Sequence, residues 1–356
     1  MKKAKLSLII FSLLLISCNL TVIGLETNEL NLKNAVTMVL KENLDLKKSS
    51  LNLEKAKLEY QQNKASNLLQ QSNYSETKAE YQLRLARSNY RNTKYKVVIN
   101  TIEQYTNLWL SKLDLQIKKK QVKLQEQLLS EAESQYEIGD IGSIDLLERE
   151  NTYKDVEFNL ETARNDYQQN IKIFKANLGL NEEPLVKGLE EPDIWRLTEK
   201  EAITTALDNS INLQLKKEEI ELAKMSLERA KVSSPELDKK IQGIFLKISQ
   251  VEEEKIREEI TISTKTAYYQ LKQVIKNLDL KKQRFKEAKK KYHLYQQQYE
   301  KGLIKKTDIL QYEINKLKSK KEYKSAISNY YLKKQSLKQT MNLEAGVNIS
   351  DDTEKK

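Results

Sequence analysis

Apolar residues recur along this chain in steps of three and four. Tyr153, Val156, Leu160, Ala163, Tyr167, Ile171, Phe174 and Leu178 form one such row. Ile102, Tyr105, Trp109, Leu113 and Ile117 form another, which resumes at Leu124 and Leu128. That spacing predicts helices with one narrow buried stripe, close to the seam of a coiled coil. Residues 76–136 contain neither Gly nor Pro, and a continuous helix there would be roughly 90 Å long at about 1.5 Å per residue. The pattern predicts a rod.

The pattern is also written twice. Leu30-Asn31-Leu32-Lys33-Asn34-Ala35 is echoed 167 residues on by Leu197-Thr198-Glu199-Lys200-Glu201-Ala202, and Leu40, Leu46 and Ala56 by Leu207, Leu213 and Ala223. Further along the offset is 163, pairing Tyr105 with Tyr268, Leu108 with Leu271, Leu147 with Leu310, Glu150 with Glu313 and Tyr167 with Tyr330. Repeats of this kind predict two similar all-α halves, residues 30–180 and 197–343. The linker between them, residues 181–196, holds two of the three prolines. Residues 344–356 form a polar tail.

One phrase punctuates both halves: "YEIGDIGSID" from Tyr136 to Asp145 and "YEKGLIKKTD" from Tyr299 to Asp308. Gly139 or Gly302 can take the left-handed conformation that ends a long helix. Ser143 or Thr307, or the aspartate itself, can then cap the helix that turns back. The phrase predicts a helical hairpin tip at the far end of each half.

Composition supports long helices. Of 356 residues, 39% are hydrophobic and 32% charged, with only eight glycines, and mean hydropathy is −0.70. The net charge of +11 is local: Lys265 to Lys338 holds 21 Lys/Arg against 6 Asp/Glu. No nucleic-acid-binding signature accompanies that excess, so it reads as a solvated lysine-rich surface. The residues offer no catalytic constellation, cofactor motif or metal set. His293 is the sole histidine, Glu252, Glu253 and Glu254 read as solvated, and Tyr292, Tyr295 and Tyr299 read as helix packing. The chain is expected not to be an enzyme.

Lys2, Lys3 and Lys5 precede an apolar run from Leu6 to Ile16, which suits a secretory signal peptide over residues 1–18. Leu15-Ile16-Ser17-Cys18 resembles a lipoprotein cleavage site, whose cysteine becomes the lipidated first residue. Ordinary cleavage after Gly24 is the alternative. Cys18 is the only cysteine, so an exported chain carries no internal disulfide.

Taken in this order, the elements resemble the TolC-like outer-membrane efflux family. Each of that family's repeats opens with "Leu-x-Leu-x-x-Ala…Asn-x-x-Leu", here Leu30 to Leu46, echoed by Leu197 to Leu213. Each contains "Tyr-x-x-Gly-x-x-x-x-x-Asp-(apolar)-Leu", here Tyr136, Gly139, Asp145 with Leu147, and Tyr299, Gly302, Asp308 with Leu310. Each closes near "Leu-Gly-Leu", kept at Leu178-Gly179-Leu180 but not at Met341-Asn342-Leu343. The resemblance implies long antiparallel helical hairpins in a homotrimeric α-barrel within the cell envelope, with no cofactor. It implies hairpin tips around Gly139 and Gly302 that meet a periplasmic adaptor and an inner-membrane pump. Asp308 would then lie at the pore entrance, with Gln311 where some members carry a second aspartate.

The chain departs from the family at one place. Family members insert a two-stranded hairpin in each repeat, and three chains close a membrane barrel. Here Asn63 to Tyr81 and Ala230 to Phe245 leave no room for two spanning strands and a loop. Ser234-Pro235-Glu236 reads instead as an N-cap, a Pro at the first helical position and an acidic first turn. Barrel strands are therefore expected to be absent. The expected function is an efflux conduit working with a pump and adaptor to export small molecules or proteins. The alternative is a lipid-anchored envelope scaffold or adaptor without channel activity.

Overall fold

The computed structural model describes residues 30–70 and 73–346. The signal peptide, Cys18 and residues 347–356 of the polar tail lie outside the described residues. Among the described residues there are eight helices and no strand. The first repeat comprises α1 (Leu32–Glu42), α2 (Leu44–Gln70), α3 (Asn73–Glu137) and α4 (Ser143–Leu178). The second comprises α5 (Glu199–Asn209), α6 (Ile211–Ser233), α7 (Glu236–Glu300) and α8 (Lys306–Thr340).

Each repeat opens with a jointed pair of helices rather than one. Asn43 ends α1, and its side-chain oxygen accepts from the Leu46 N–H at 2.9 Å to start α2. Ser210 does the same between α5 and α6, accepting from the Leu213 N–H at 3.2 Å. Asn43-x-x-Leu46 and Ser210-x-x-Leu213 are thus each an N-cap and the amide that it satisfies. The helices that open the two repeats begin on side-chain caps as well. Asn31 accepts from the Asn34 N–H at 2.8 Å, and Thr198 exchanges hydrogen bonds with Glu201.

α3 and α7 have 65 residues each, about 98 Å at about 1.5 Å per residue, and run the length of the molecule. At one end α2 packs on α3, while α6 lies between α3 and α7. At the other α4 packs on α3, α3 on α8, and α8 on α7. The predicted stripes face these neighbours, with Ala163, Ile171, Phe174 and Leu178 of α4 and Ile102, Tyr105, Leu113, Ile117 and Leu124 of α3 buried.

Where strand hairpins would enter, helix follows helix. α2 ends at Gln70 and α3 begins at Asn73, while α6 and α7 are separated by Ser234 and Pro235 alone. Ser234 closes α6, its N–H donating to the Ala230 carbonyl at 3.0 Å. Pro235, rather than Ser234, is the N-cap of α7, and Glu236 and Asp238 lie in the first turn.

A belt crosses the middle of the helical layer. The linker after α4 is extended, and Leu30 pairs with Val186 in an isolated bridge. The buried Tyr105 hydroxyl lies against the carbonyls of Leu30, at 2.7 Å, and Lys187. Its ring meets Phe174 edge-on at 5.9 Å. In the second repeat the Tyr330 hydroxyl accepts from the Trp195 N–H at 2.8 Å and donates to the Asp193 carbonyl at 2.9 Å. Gly188 passes so close to Trp109 that a Cβ would stand 3.1 Å from the ring. The main core cluster, including Tyr95, Val98, Ile102, Leu108, Ile327 and Leu337, sits under this belt. A smaller cluster, Leu113, Ile117, Leu124, Leu310 and Ile314, continues the α3–α8 seam toward the tips.

Burial pushes the phenols of Tyr167, Tyr323 and Tyr331 up to about 12, and it raises Tyr95 as well. A raised phenol favours the folded, protonated chain. Its contribution is complete below an ordinary tyrosine value of about 10 and is lost as pH rises through about 12. The melting temperature is therefore expected to fall across about pH 10–12, and less steeply in Tyr331→Phe. A melting temperature unchanged over that window would contradict the assignment.

Candidate functional site

The two tips share one backbone solution. Gly139 has φ +77°, its N–H donating to the Tyr136 carbonyl at 3.0 Å and the Asp140 N–H to the Gln135 carbonyl at 2.8 Å. Gly302 has φ +71°, its N–H donating to the Tyr299 carbonyl at 2.9 Å and the Leu303 N–H to the Gln298 carbonyl at 2.9 Å. Both are left-handed helix ends, in which two amides of the turn satisfy two orphan carbonyls. Nothing lies within 4 Å of a Cβ at either glycine, so the requirement is conformational rather than steric.

The returning helices are started by the aspartates. Asp145 Oδ2 accepts from the Gly142 N–H at 3.1 Å, and Asp308 Oδ2 accepts from the Lys305 N–H at 3.1 Å. Gly142 and Lys305 are the N-cap residues, so Ser143 stands one position and Thr307 two positions too late to cap. The carboxylate three residues into each helix takes over, and its charge favours the helix N-terminus.

The same cap closes the other ends of the hairpins. Gly179 (φ +64°) ends α4, and Asn342 (φ +52°) ends α8 with the Leu343 N–H donating to the Lys338 carbonyl at 3.0 Å. Met341-Asn342-Leu343 therefore keeps the turn of Leu178-Gly179-Leu180 with Asn, the next most tolerant residue, at the left-handed position.

Side chains at the tips face outward. Tyr136, Ile138, Ile144 and Leu147 are exposed at the first, and Tyr299 and Leu303 at the second. Behind the second tip Tyr295 stacks on Tyr312 at 3.6 Å, and Lys316 Nζ lies 3.4 Å from the centre of the Tyr292 ring. Burial, with Lys120, Lys320 and Lys289 nearby, lowers the Lys316 ammonium below the usual lysine range against the pull of Glu313. The tyrosine spacing had pointed to packing, whereas the partners Tyr312 and Lys316 are visible only once α8 folds back.

Gln311 is exposed, and its Nε2 donates to Asn315 Oδ1 at 3.0 Å. It belongs to a wholly polar column on α8: Asp308, Gln311, Asn315, Lys318, Glu322, Ser325 and Asn329, at steps of three and four. The column borders a groove of about 570 Å³ between α3, α7 and α8, crossed by the ion pairs Lys321–Asp114 at 2.6 Å and Lys281–Glu322 at 2.7 Å.

A feature that the sequence reasoning missed is the open edge of α7. Leu237, Ile241, Ile244, Ile248 and Val251 follow the four-three spacing of a coiled-coil seam, yet each is at least 50% exposed. Ile262, Leu280 and Leu294 continue the same line toward the tip, also uncovered. On the other side of the chain, Leu44, Leu51 and Leu58 of α2 recur every seven residues, and Ile144, Leu147 and Phe158 lie on α4, all exposed. The apolar spacing was legible in α7. That its partner lies outside the chain was not, since spacing is the same for either. Among the described residues no helix is long and apolar enough to cross a membrane.

No protein-family model matches the sequence, and no curated protein matches it either. Solved structures do. The Campylobacter jejuni CmeC outer membrane channel aligns over 90% of this chain and 88% of its own, with a TM-score of 0.61 at 12% identity. The open state of the Neisseria gonorrhoeae MtrE outer membrane channel aligns over 90% of each chain, with a TM-score of 0.59 at 12% identity. CusC, studied for folding and transmembrane channel formation, aligns over 88% of this chain and 92% of its own, with a TM-score of 0.60 at 12% identity. The fold is TolC-like. In this TolC-like chain the helical architecture is kept, and the barrel strands are absent among the described residues.

Replacing Gly139 or Gly302 with Val is expected to cost about 1–2 kcal/mol each, because a β-branched residue resists the left-handed region. Denaturant midpoints should fall for both, and by similar amounts, since the two turns are geometrically alike. An unchanged midpoint at either position would remove that glycine from the turn's requirements.

Proposed function

We propose that copies of this chain close side by side into a homotrimeric helical conduit of the cell envelope. With a pump and a periplasmic adaptor, it would export small molecules or proteins. The pair of uncovered edges carries this reading. The apolar line on α7 lacks a partner in its own chain, and the leucine row of α2 with the apolar residues of α4 forms a matching edge on the opposite side. A contact between two different edges repeats from copy to copy and closes a ring if the rotation allows. The TolC-like fold shared with outer membrane channels supports the same arrangement.

In this reading the tips at Tyr136, Gly139 and Asp145 and at Tyr299, Gly302 and Asp308 dock the adaptor. Asp308 and Gln311 stand at the pore entrance. The neutral amide of Gln311, one turn from Asp308, makes any charged gate weak. Lipid on Cys18 would supply membrane attachment. One observation favours a second reading, a lipid-anchored scaffold without channel activity: helices follow one another directly where strands would enter.

The solution mass of residues 19–356 separates the two. Light scattering is expected to give a stable trimer, whereas a monomer across accessible concentrations would leave the scaffold. The double change Ile244→Glu with Ile248→Glu should convert trimer to monomer without loss of helical circular dichroism. A trimer that survives both changes would clear the α7 seam of any role in assembly. Asp308→Ala removes one cap hydrogen bond, worth about 0.5–1 kcal/mol, as Asp145→Ala does at the other tip. Export is expected to change in Asp308→Ala, and export unaltered there removes the entrance role.

A further inference from the structure

The two hairpins share a backbone and differ in sign. Residues 276–324, around the α7–α8 tip, hold sixteen Lys/Arg and six Asp/Glu. Residues 113–161, the matching stretch 163 positions earlier, hold six Lys/Arg and twelve Asp/Glu. Part of the difference is satisfied between the hairpins, by Lys321–Asp114 at 2.6 Å and Lys305–Glu131 at 3.9 Å, while Lys120–Glu313 at 2.9 Å runs in the opposite sense. The rest is on the surface. Lys290, Lys301 and Lys306 are exposed on the second hairpin, and Glu133, Glu137 and Asp140 on the first. Each set surrounds uncovered apolar groups: Leu294, Tyr299 and Leu303 on one, Tyr136, Ile138 and Ile144 on the other.

Packed helices lie about 8–10 Å apart, and salt screens exposed charges over about 8 Å. A partner touching both tips therefore meets a change of sign over about one screening length, positive around Lys301 and Lys306 and negative around Glu137 and Asp140. A flat anionic lipid surface gains at the second tip and is repelled at the first. Nucleic acid, uniformly negative, has the same difficulty. A folded protein surface can alternate its sign over this distance and also cover the apolar centres.

We infer that the tips are two chemically distinct docking sites for a folded protein partner. An acidic patch of the partner seats on the α7–α8 tip and a basic patch on the α3–α4 tip, each around exposed apolar side chains. The inference rests on the conduit reading for the existence of a partner, and adds which chemistry each tip accepts. Equivalent tips would take one partner motif twice; these take two different motifs.

The test places a photo-crosslinking residue at position 303 or 138 of the full chain in its native cell, followed by sequencing of the adducts. Position 303 should yield peptides rich in Asp and Glu, and position 138 peptides rich in Lys and Arg. Lys290→Glu, Lys301→Glu and Lys306→Glu together should cut the yield at 303 at least tenfold and leave 138 unchanged. Glu133→Lys with Glu137→Lys should do the reverse. The same peptide from both positions, lipid adducts alone, no protein adduct, or yields indifferent to charge reversal would each overturn the assignment. So would flotation with phosphatidylglycerol vesicles that is abolished by the lysine changes. The solution mass of the unmodified chain keeps the two ideas apart. A trimer without sign-specific adducts ends the docking inference alone, whereas a monomer ends the conduit.

Discussion

Everything in the half of this molecule that carries the hairpin tips depends on one line of packing, α3 against α8. The repeats are otherwise separate hairpins there, α3 with α4 and α7 with α8. Along the line, Leu113, Ile117 and Leu124 meet Leu310 and Ile314, Thr106 and Ser328 share a hydrogen bond of 2.9 Å, and Lys120 and Lys321 reach carboxylates on the opposite helix. Such a seam is narrow, because each helix also packs on its own hairpin partner. The chain gains breadth by adding helices sideways, and so a layer with open edges follows from the stripe pattern. A compact core would need wider apolar faces than 39% hydrophobic residues provide.

Much of this was legible before any coordinates. The stripes of α3 and α4, the two glycine turns and the direct passage from α6 to α7 follow from spacing and from Gly and Pro chemistry. What escaped has physical causes. Asn43 and Ser210 look like ordinary polar surface, yet each ends one helix and starts another by supplying an oxygen to an amide three residues on. Of the caps that the sequence offered, Ser143 and Thr307 fail because the chain enters each helix one or two residues sooner, and the other alternative, the aspartate itself, supplies the bond. Asn342 hides a turn that only its positive φ reveals. These are errors of one or two residues, the scale at which helix ends are decided by individual hydrogen bonds.

The repeat is a repeat of backbone more than of surface. Turn geometry agrees between the tips to within a few degrees of φ and a few tenths of an ångström in the cap bonds. Charge does not agree at all. Duplicated structure can hold its folding signals, glycine and aspartate at fixed offsets, while the residues around them diverge. The α7 edge shows the same freedom. The first half of α3 lies between α2 and α6 and is covered on both sides, whereas the same stretch of α7 has one side covered and one side open.

The unbroken course of α3 has a mechanical consequence. It passes from one end of the molecule to the other without a glycine or proline, gripped midway by the belt at Tyr105 and Trp109. A stiff strut held at its middle behaves as a lever. A displacement at the Gly139 end is carried along the helix toward the end near residue 73 unless the belt or the packing of α2, α4, α6 and α8 against it yields. The jointed pairs α1–α2 and α5–α6 have no such obligation, since Asn43 and Ser210 let their axes turn. The molecule thus combines two rigid beams with two hinged struts, and the belt is the fulcrum.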